Sequence, residues 1–248
     1  MELTMTKSKL SSYAPLQPPC GTARVLTKAD FMAIMGLREV VFAALPNRQF
    51  LYPEDDDEGF VRAHLGLHGM SVGVFEHEQL IGFTNLTLPD GDSLGEPWLG
   101  IPSRRIRRHH ALLMNGIVRP GFEGNGLHKY LIAERLRIAE ADDRPLARVL
   151  ASPYNYRSWG NFIWHGFVVK GFIRPYEPKF GTLLRYVMDM DARQKLVGRK
   201  ETSTLVDSND IEKQEACFEQ GMLGFNRVMD GPTAFIELMH PTESPIEY

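Results

Sequence analysis

The stretch VRPGFEGNGLHKYL, residues 118–131, joins the apolar run ALLMNGIV (111–118) to the helical pattern LHKYLIAERLRIAEA (127–141). The apolar run is typical of a strand covered on both faces, and the leucines and isoleucines after the turn recur at the spacing of an amphipathic helix. A glycine turn between a strand and a helix presents backbone N–H groups at the positive end of the helix dipole, which suits a phosphate. From this stretch alone, an anion site and an ordinary tight turn are equally good predictions.

A second segment, NYRSWGNFIWHGF (155–167), follows the strand-like run LARVLAS and ends where another apolar run begins. Together the two segments resemble the GNAT superfamily of N-acetyltransferases, and in particular bacterial-type members with a C-terminal extension. In that superfamily the phosphate loop reads VxPxx(Q/R)xxGx(G/A) and the following motif reads Nxx(A/S)xxxYxxxGF. The resemblance covers residues 21–190 and is strongest over 113–167. It implies an α/β (α+β) fold with a mixed, mostly antiparallel central sheet flanked by helices.

The resemblance also implies a site for acetyl-CoA as the co-substrate. The end of the predicted central strand would pair with the pantetheine arm through its backbone, and amides of the glycine turn would bind the pyrophosphate. Asn155 and Ser158 would line the same arm farther along. The residues expected at the site are Gly116, Ile117, Val118, Glu123, Gly124, Asn125, Gly126, Leu127, His128, Asn155, Ser158 and Phe162.

Two residues of the turn depart from the family pattern. Glu123 stands where Gln or Arg is usual, and a carboxylate repels pyrophosphate at short range. It therefore either points to solvent, pairs with a basic neighbour such as Arg119, or weakens binding. His128 replaces a small residue, and it either donates to a phosphate or is an exposed histidine without a ligand.

The groups that would move protons are also unusual. Phe162 stands where many members carry a tyrosine proposed to protonate the departing thiolate, so its ring is expected to pack and Ser158 becomes the candidate acid, with Tyr154 and Tyr156 as alternatives. In some members a glutamate base occupies the position of Leu112. His110 shares its strand parity and is the candidate catalytic base, although the solvated end of a basic stretch is the favoured interpretation of this histidine.

The remaining charged clusters are interpreted as surface features. RRIRRHH (104–110) suits the 3′-phosphate of CoA, an acidic substrate or nucleic acid, but a solvated loop is the favoured interpretation. EDDDE (54–58) either attracts a cationic amine or, more simply, begins a helix whose dipole favours carboxylates. The other histidines and acids lack a metal-ligand spacing, so no metal is predicted.

The composition limits the classes of function. The chain has 248 residues, 43% of them hydrophobic and 24% charged, with a net charge of −3. Neither disorder nor general nucleic-acid binding is expected from these values. Cys20 and Cys217 are far apart without disulfide-framework or zinc spacing. The N-terminal residues lack a sustained apolar segment, so we expect no signal peptide, no membrane anchor and a cytoplasmic location.

The chain is expected to divide into a flexible lead (1–20), a GNAT-like acyltransferase domain (21–190) and a small C-terminal appendage (191–248) made of a helix and a hairpin that turns at Asp230 and Gly231. An earlier hairpin is predicted within residues 70–89, with the polar turn EHEQ. No tandem repeat is evident in the sequence.

These observations lead to one main hypothesis and two alternatives. The main one is an acetyl-CoA-dependent N-acetyltransferase that acts on a primary amine of a small molecule or amino-acid-like acceptor, without a nucleic-acid or membrane partner. The first alternative is a non-catalytic acyl-CoA-binding or regulatory module. The second is an interaction protein that has lost CoA, for which the C-terminal appendage would supply a partner surface or a homodimer contact.

Overall fold

A computed structural model describes residues 13–51, 56–65, 69–89, 108–177 and 181–243. The chain forms two compact units, one running up to Arg48 and from Tyr52 to Ala147, the other comprising Gln49–Leu51 and the chain from Arg148 onward. The main boundary between the units along the chain therefore falls between residues 147 and 148. The domain division at residues 190 and 191 stays a prediction.

The first unit is an antiparallel sheet with helices. Its strands pair in the order β1-β2-β3-β4. The strands are β1 (Thr22–Val25), β2 (Gly69–Glu76), β3 (Gln79–Thr87) and β4 (His110–Val118). The helices are a 3₁₀ turn (Lys28–Asp30), α1 (Phe31–Ala44), α2 (Asp57–Ala63) and α3 (Leu127–Ala141).

The second unit has its own strand order, β5-β9-β6-β11-β12-β10, and a separate two-stranded hairpin of β7 and β8. Its strands are β5 (Leu146–Ala151), β6 (Val168–Ile173), β7 (Tyr176–Glu177), β8 (Gly181–Thr182), β9 (Arg185–Asp191), β10 (Thr204–Asp207), β11 (Leu223–Asp230) and β12 (Thr233–Met239). Its helices are α4 (Tyr156–Trp164) and α5 (Ile211–Glu219), and it has a 3₁₀ turn at Lys200–Thr202. Another 3₁₀ turn, Arg48–Phe50, begins at the last residue of the first unit's N-terminal segment. The predicted fold class, an α/β arrangement with a mostly antiparallel sheet flanked by helices, is confirmed.

Helix α3 covers the sheet of the first unit, where it packs on β3 and β4. Its residues Leu127 and Leu131 form a buried cluster with Val74 and Ile81. The predicted helix over 127–141 is confirmed at both ends, because the apolar stripe supplies a buried face and the turn before it fixes its start. The predicted hairpin within 70–89 is also confirmed as β2 and β3.

A capping box fixes the start of the 3₁₀ turn Lys28–Asp30, which leads directly into α1. The Thr27 hydroxyl accepts from the Ala29 amide, and the Asp30 carboxylate accepts from the Thr27 amide at 2.8 Å. Arg24 on β1 donates to the same carboxylate, with Nη2 2.5 Å from Oδ1 and Nη1 2.8 Å from Oδ2. The strand and the helix that follows it are therefore joined by one nearly buried carboxylate.

The N-terminal lead is ordered where the structure describes it. The Tyr13 hydroxyl donates to Glu134 Oε2 at 2.5 Å, and the Tyr130 hydroxyl donates to the Leu16 carbonyl at 2.7 Å. Glu134 is completely buried and also accepts from Arg137 at 3.0 Å. Tyr13 and Leu16, in the predicted flexible lead (1–20), therefore contact α3, where the buried Glu134 carboxylate needs hydrogen-bond donors. Residues 1–12 lie outside the described residues.

The predicted C-terminal helix and hairpin are confirmed as α5 and the β11–β12 pair, which turns at Asp230 and Gly231. Strand β11 also pairs with β6, through Gly224 and Val169. The segment extends the sheet of the second unit, and its backbone satisfies donors and acceptors that an edge strand would leave to solvent.

We expect Asp30→Asn to destabilise the protein at neutral pH and much less in acid. The hydrogen bond from Arg24 is the main reason that the pKa of Asp30 falls from 3.8 to about 2. A carboxyl whose pKa is lower in the folded state stabilises the fold above its unfolded pKa, and this contribution is lost as the pH falls through the folded pKa. With Arg24 half-exposed, the loss at pH 7 should be roughly 1–2 kcal/mol of unfolding free energy.

Urea denaturation at pH 7, 4 and 2.5 measures this difference. The matched control is Glu58→Gln, which removes an exposed i,i+4 pair with Arg62 and should cost less than about 0.5 kcal/mol. An Asp30→Asn effect no larger than the control at pH 7, or one independent of pH, would contradict the prediction.

Candidate functional site

The glycine turn connects β4 to α3 by a backbone that only glycine adopts readily. Gly121, Gly124 and Gly126 have φ angles of 91°, 82° and 81°, in the left-handed region that side chains disfavour. A Cβ built on Gly121 or Gly124 meets no described atom within 4 Å. These two glycines are therefore required by backbone conformation and leave open space beside the turn.

The helix begins at this turn without a side-chain cap. Gly126 is the N-cap residue of α3, its φ is left-handed, and no side-chain hydrogen bond from the described residues caps the helix there. The first regular helical bond joins the Tyr130 amide to the Gly126 carbonyl at 2.9 Å. The first-turn amides of α3 thus lie at the positive end of the helix dipole beside an open turn, an arrangement that binds anions.

The Glu123 side chain binds the backbone in the first half of the turn. Its Oε2 accepts from the Gly121 amide at 2.6 Å, while Arg119 Nε donates to the Leu80 carbonyl at 3.3 Å. Pairing with Arg119 was one of the three roles predicted for Glu123. The Glu123 carboxylate instead accepts a hydrogen bond from the backbone of the turn. The carboxylate stabilises the left-handed backbone at Gly121.

Strand β4 carries a β-bulge just before the turn. Between Thr84 and Leu86 of β3, the paired residue on β4 moves from Gly116 to Leu113. Since β3 advances by two residues while β4 advances by three, β4 has an extra residue at positions 114–115. A bulge takes one residue out of the hydrogen-bonded ladder, so backbone polar groups become available for other partners.

Arg135 binds the bulge from α3. It is fully buried, with Nη1 2.6 Å from the Met114 carbonyl oxygen and Nε 3.2 Å from the Leu131 carbonyl oxygen. Burial lowers the pKa of Arg135 to about 9, which leaves the guanidinium charged at neutral pH. A charge-assisted hydrogen bond therefore joins the helix that starts at the turn to the bulge of the strand that leads into it.

His128 also faces the strand. A Cβ built on Gly116 would lie 3.2 Å from both His128 Nε2 and Arg135 Nη2. The imidazole of His128 is only partly exposed, so the predicted alternative of an exposed histidine without a ligand does not describe it. Gly116 leaves the space that the two basic side chains occupy.

His110 begins β4 and is 7% exposed. The favoured sequence interpretation, a solvated end of a basic stretch, is therefore wrong. Arg144 holds this end of the strand by donating from Nη1 to the His110 carbonyl at 2.9 Å. Because the bulge lies between them, His110 and Gly116 face opposite sides of the sheet despite their even spacing.

The residues of the second motif lie in the second unit, around α4. Asn155 is the N-cap of α4 and its Oδ1 accepts from the Ser158 amide at 3.2 Å. Phe162 is 3% exposed and packs edge-on against Phe167, with ring centroids 5.3 Å apart. The expectation that the Phe162 ring packs is confirmed, whereas the Ser158 side chain is partly exposed. The Asn-x-x-Ser spacing thus has a structural origin as a helix cap.

The predicted cofactor residues fall into four groups, three of which lie in the first unit. The last residues of β4 are Gly116, Ile117 and Val118; the turn contains Glu123, Gly124, Asn125 and Gly126; α3 starts with Leu127 and His128. The structure brings these residues together at one end of β4. Asn155, Ser158 and Phe162 belong to the second unit.

The charged clusters are described in part. Residues 104–107 of the basic stretch and 54–55 of the acidic stretch lie outside the described residues. Asp56 caps α2 by accepting from the Gly59 amide at 2.9 Å, which confirms the simpler interpretation of the acidic stretch as a capped helix start at that residue. Within the described residues, no group of His, Cys, Asp and Glu could hold a metal ion, and no helix is long and apolar enough to span a membrane.

Sequence reasoning missed Arg135 and the bulge it binds. Arg135 lies in the pattern LIAERLRIAEA, where a basic residue is normally solvated. One signal was available: Leu131, Arg135 and Ile138 fall on the same helical face, so Arg135 occupies a core position. Its partner could not have been identified, because the bulge depends on the register between β3 and β4.

Comparison with solved structures shows which proteins share this fold. No protein-family model and no curated protein sequence matches the chain. Similar solved structures include an acetyltransferase of the GNAT family from Streptococcus pneumoniae (TM-score 0.51, 16% identity, covering 68% of this chain and 98% of that one). A ribosomal-protein-alanine N-acetyltransferase from Brucella melitensis gives a TM-score of 0.51 at 18% identity, covering 68% of this chain and 99% of that one. The yncA structure from Salmonella typhimurium, which contains its cofactor acetyl-CoA, gives 0.51 at 20% identity, covering 72% and 98%.

These similarities span nearly the whole of each solved structure, and each is at 20% identity or less. The chain therefore has the fold of the GNAT N-acetyltransferases. The resemblance stated from the two sequence motifs is confirmed at the level of the fold.

We expect Gly116→Ala to destabilise the protein by roughly 1–3 kcal/mol, the usual cost of overpacking. The new methyl group would lie 3.2 Å from His128 Nε2 and Arg135 Nη2, and the bonds of Arg135 to two carbonyls prevent a free retreat. The matched control, Gly36→Ala, adds a methyl group in α1 where nothing lies within 4 Å and should stabilise by about 0.5–1 kcal/mol. Urea denaturation of both variants measures the effect; equal stabilisation by the two would show that the Gly116 pocket is not tight.

Proposed function

We propose that the protein is an acetyl-CoA-dependent N-acetyltransferase that acts on a primary amine of a small molecule or amino-acid-like acceptor. The observation that carries the proposal is the open, glycine-built turn that leads from the bulged strand β4 into α3, a helix that no side chain of the described residues caps. The fold shared with N-acetyltransferases supports the same activity. We further propose a cytoplasmic protein, since acetyl-CoA is made and used inside cells.

The residues of the first unit fit the proposed cofactor. Backbone amides at Gly124, Gly126, Leu127 and His128 would hold the pyrophosphate, since the turn is open and the helix dipole favours an anion. The end of β4 would pair with the pantetheine arm through its backbone. The yncA structure, which has this fold, contains acetyl-CoA, and this supports the assignment.

The proposed reaction is acyl transfer without a metal. The thioester supplies an activated acetyl group; a neutral amine nitrogen forms the new C–N bond, the C–S bond breaks, and the thiolate leaves. A backbone N–H beside the β4 bulge is suited to stabilise the oxyanion, since a bulge takes a residue out of the ladder. The Arg135 bond to the Met114 carbonyl fixes the backbone there.

Two side chains are proposed for the proton steps. His110, at the start of β4, would accept the proton of the amine, and Ser158 would donate to the departing thiolate. Phe162 is buried and has no ionisable group, so it takes no part in proton transfer. A thiolate is a tolerable leaving group near neutral pH, and the reaction therefore depends less on an acid than on a base.

The activity is tested by measuring acetyl-CoA binding by calorimetry and thiol release across a panel of amino acids, polyamines and short peptides. We expect saturable binding and release that depends on one class of amine. Binding without release for any amine would instead favour a non-catalytic acyl-CoA-binding module. No binding would overturn both and favour an interaction protein.

A matched pair of glycine variants assigns the binding to the turn. Gly124→Val places a branched side chain at a φ of 82° in the turn, and Gly231→Val imposes the same kind of strain at a φ of 55° in the β11–β12 turn. Only the first should weaken acetyl-CoA binding, by tenfold or more. Equal weakening would mean that the effect is general destabilisation.

We expect His110→Gln to lower kcat by roughly 10²–10⁴, the usual contribution of a general base, with little change in the KM for acetyl-CoA. His77→Asn is the control, since His77 lies in the β2–β3 turn with a φ of 54° that asparagine tolerates. A wild-type rate for His110→Gln would exclude this histidine and leave a water path to solvent.

A further inference from the structure

The second unit contains the same structural motif twice. The first copy runs β5, α4, β6 and β9, with the β7–β8 hairpin inserted between its last two strands. The second copy runs β10, α5, β11 and β12, so both contain a strand, a helix and two further strands of the sheet. The strands β6 and β11, which follow the two helices, pair at the centre of this sheet. The last strand of each copy, β9 or β12, comes next, and the first strand, β5 or β10, lies outside it. Apart from the inserted hairpin, the two copies therefore have the same topology.

The helices of the two copies match residue by residue, 55 positions apart. Asn155 caps α4 by accepting from the Ser158 amide at 3.2 Å, and Asp210 caps α5 by accepting from the Lys213 amide at 3.1 Å. Both helices contain nine residues, 156–164 and 211–219.

The helix ends match at the same offset. The Gly166 amide donates to the Ile163 carbonyl, and the Gly221 amide donates to the Phe218 carbonyl, each at 2.9 Å. The next amides, of Phe167 and Met222, donate to the carbonyls of Phe162 and Cys217, each at 3.1 Å. Both glycines have left-handed φ angles, 96° and 79°.

The strands repeat an irregularity as well as a topology. The register of β6 on β9 shifts between Val169 and Gly171, and the register of β11 on β12 shifts between Gly224 and Asn226. These bulges lie 55 residues apart. The two copies also meet at Val169 and Gly224, which are equivalent residues, so the antiparallel β6–β11 contact has the form of a two-fold contact between like units.

The packing between the copies is reciprocal. Helix α4 of the first copy packs on β11 of the second, and α5 of the second packs on β6 of the first. Arg227 on β11 donates to the Tyr156 carbonyl at 3.1 Å. In the other direction, Tyr186 on β9 donates to the buried Gln214 side chain at 2.5 Å. Such an exchange is typical of an isologous dimer interface.

We propose that residues 204–239 are a second copy of the unit 146–191 and act as a built-in partner subunit. They occupy, within one chain, the edge of β6 that would otherwise be open to a strand from another chain. The two copies form one cooperative body, and this edge is closed to homodimer formation. The sequence suggested that residues 191–248 could form a homodimer contact. In this proposal they make the equivalent contact with residues 146–191 of the same chain.

Crosslinking of the full-length protein distinguishes a built-in partner from a second chain. Arg174 and Glu215 form an ion pair between the copies, with side chains 48% and 34% exposed, so cysteines at these positions should not disturb folding. A short bismaleimide should join Arg174→Cys to Glu215→Cys within a chain, at the monomer mass of 28.1 kDa and independently of protein concentration. Crosslinked dimers in which residue 174 of one chain is joined to residue 215 of another would overturn the proposal.

The two single-cysteine variants and the parental protein are the controls for that experiment. Neither single variant can form the 174–215 crosslink within a chain. Reaction of the native Cys20 and Cys217 is identified in the parental protein by peptide mass spectrometry.

Hydrogen exchange tests whether the copies form one body. In Gly224→Val, the Cβ would lie 2.5 Å from Ile236 Cδ1 and 3.0 Å from Val169 Cβ, which pushes β11 away from β6. We expect exchange at least tenfold faster in both β6 and β11. Faster exchange confined to residues 204–239 would show an independent appendage and overturn the proposal. Met229→Ala, on the same strand and 41% exposed, should change neither strand.

Discussion

A buried guanidinium sets the geometry of the proposed site. Arg135 joins the helix that starts at the glycine turn to the bulge of the strand that enters it, through Met114. Removal of a cation from water costs several kcal/mol, and Arg135 remains charged because two carbonyl oxygens accept its N–H groups within the core. The position of the turn relative to the bulge therefore depends on this side chain. Gly116 follows from the same constraint, since the Cβ of any other residue would lie only 3.2 Å from Arg135 Nη2 and His128 Nε2.

The turn itself is built from backbone groups. Three left-handed glycines give the path of the chain, and Glu123 accepts one amide on the side of the turn that follows β4. The carboxylate thus satisfies a backbone donor of its own turn. The amides on the other side belong to the first turn of α3, which lacks a side-chain cap among the described residues. An anion is better placed there, because the helix dipole adds to the hydrogen bonds.

Local patterns predicted most of the elements, while contacts between elements were not predictable. The helix over 127–141 and the hairpin within 70–89 depend on spacing and turn residues within the segment itself, and both were predicted. The burial of His110 and the ordered position of Tyr13 depend on partners far away in sequence, Arg144 and Glu134. The bulge in β4 depends on the register with β3, which no single strand specifies. For the site, the sequence predicted which residues gather at the end of β4, but not the bonds of Glu123 and Arg135.

The duplication in the second unit could not be recognised from the sequence, for a different reason. The two copies share a cap, a left-handed glycine and a bulge, and each of these constrains the backbone more than the side chains. Asn155 and Asp210 are different residues, but each caps its helix with a side-chain oxygen. Gly166 and Gly221 are identical because both positions have a left-handed φ angle that favours glycine. The faces that pack are free to vary as long as each fits the other, and Phe162 is matched by Cys217 without loss of the turn. A duplicated unit whose copies pack on each other therefore keeps its backbone geometry while its side chains diverge, because each copy is selected to fit a partner that differs from itself.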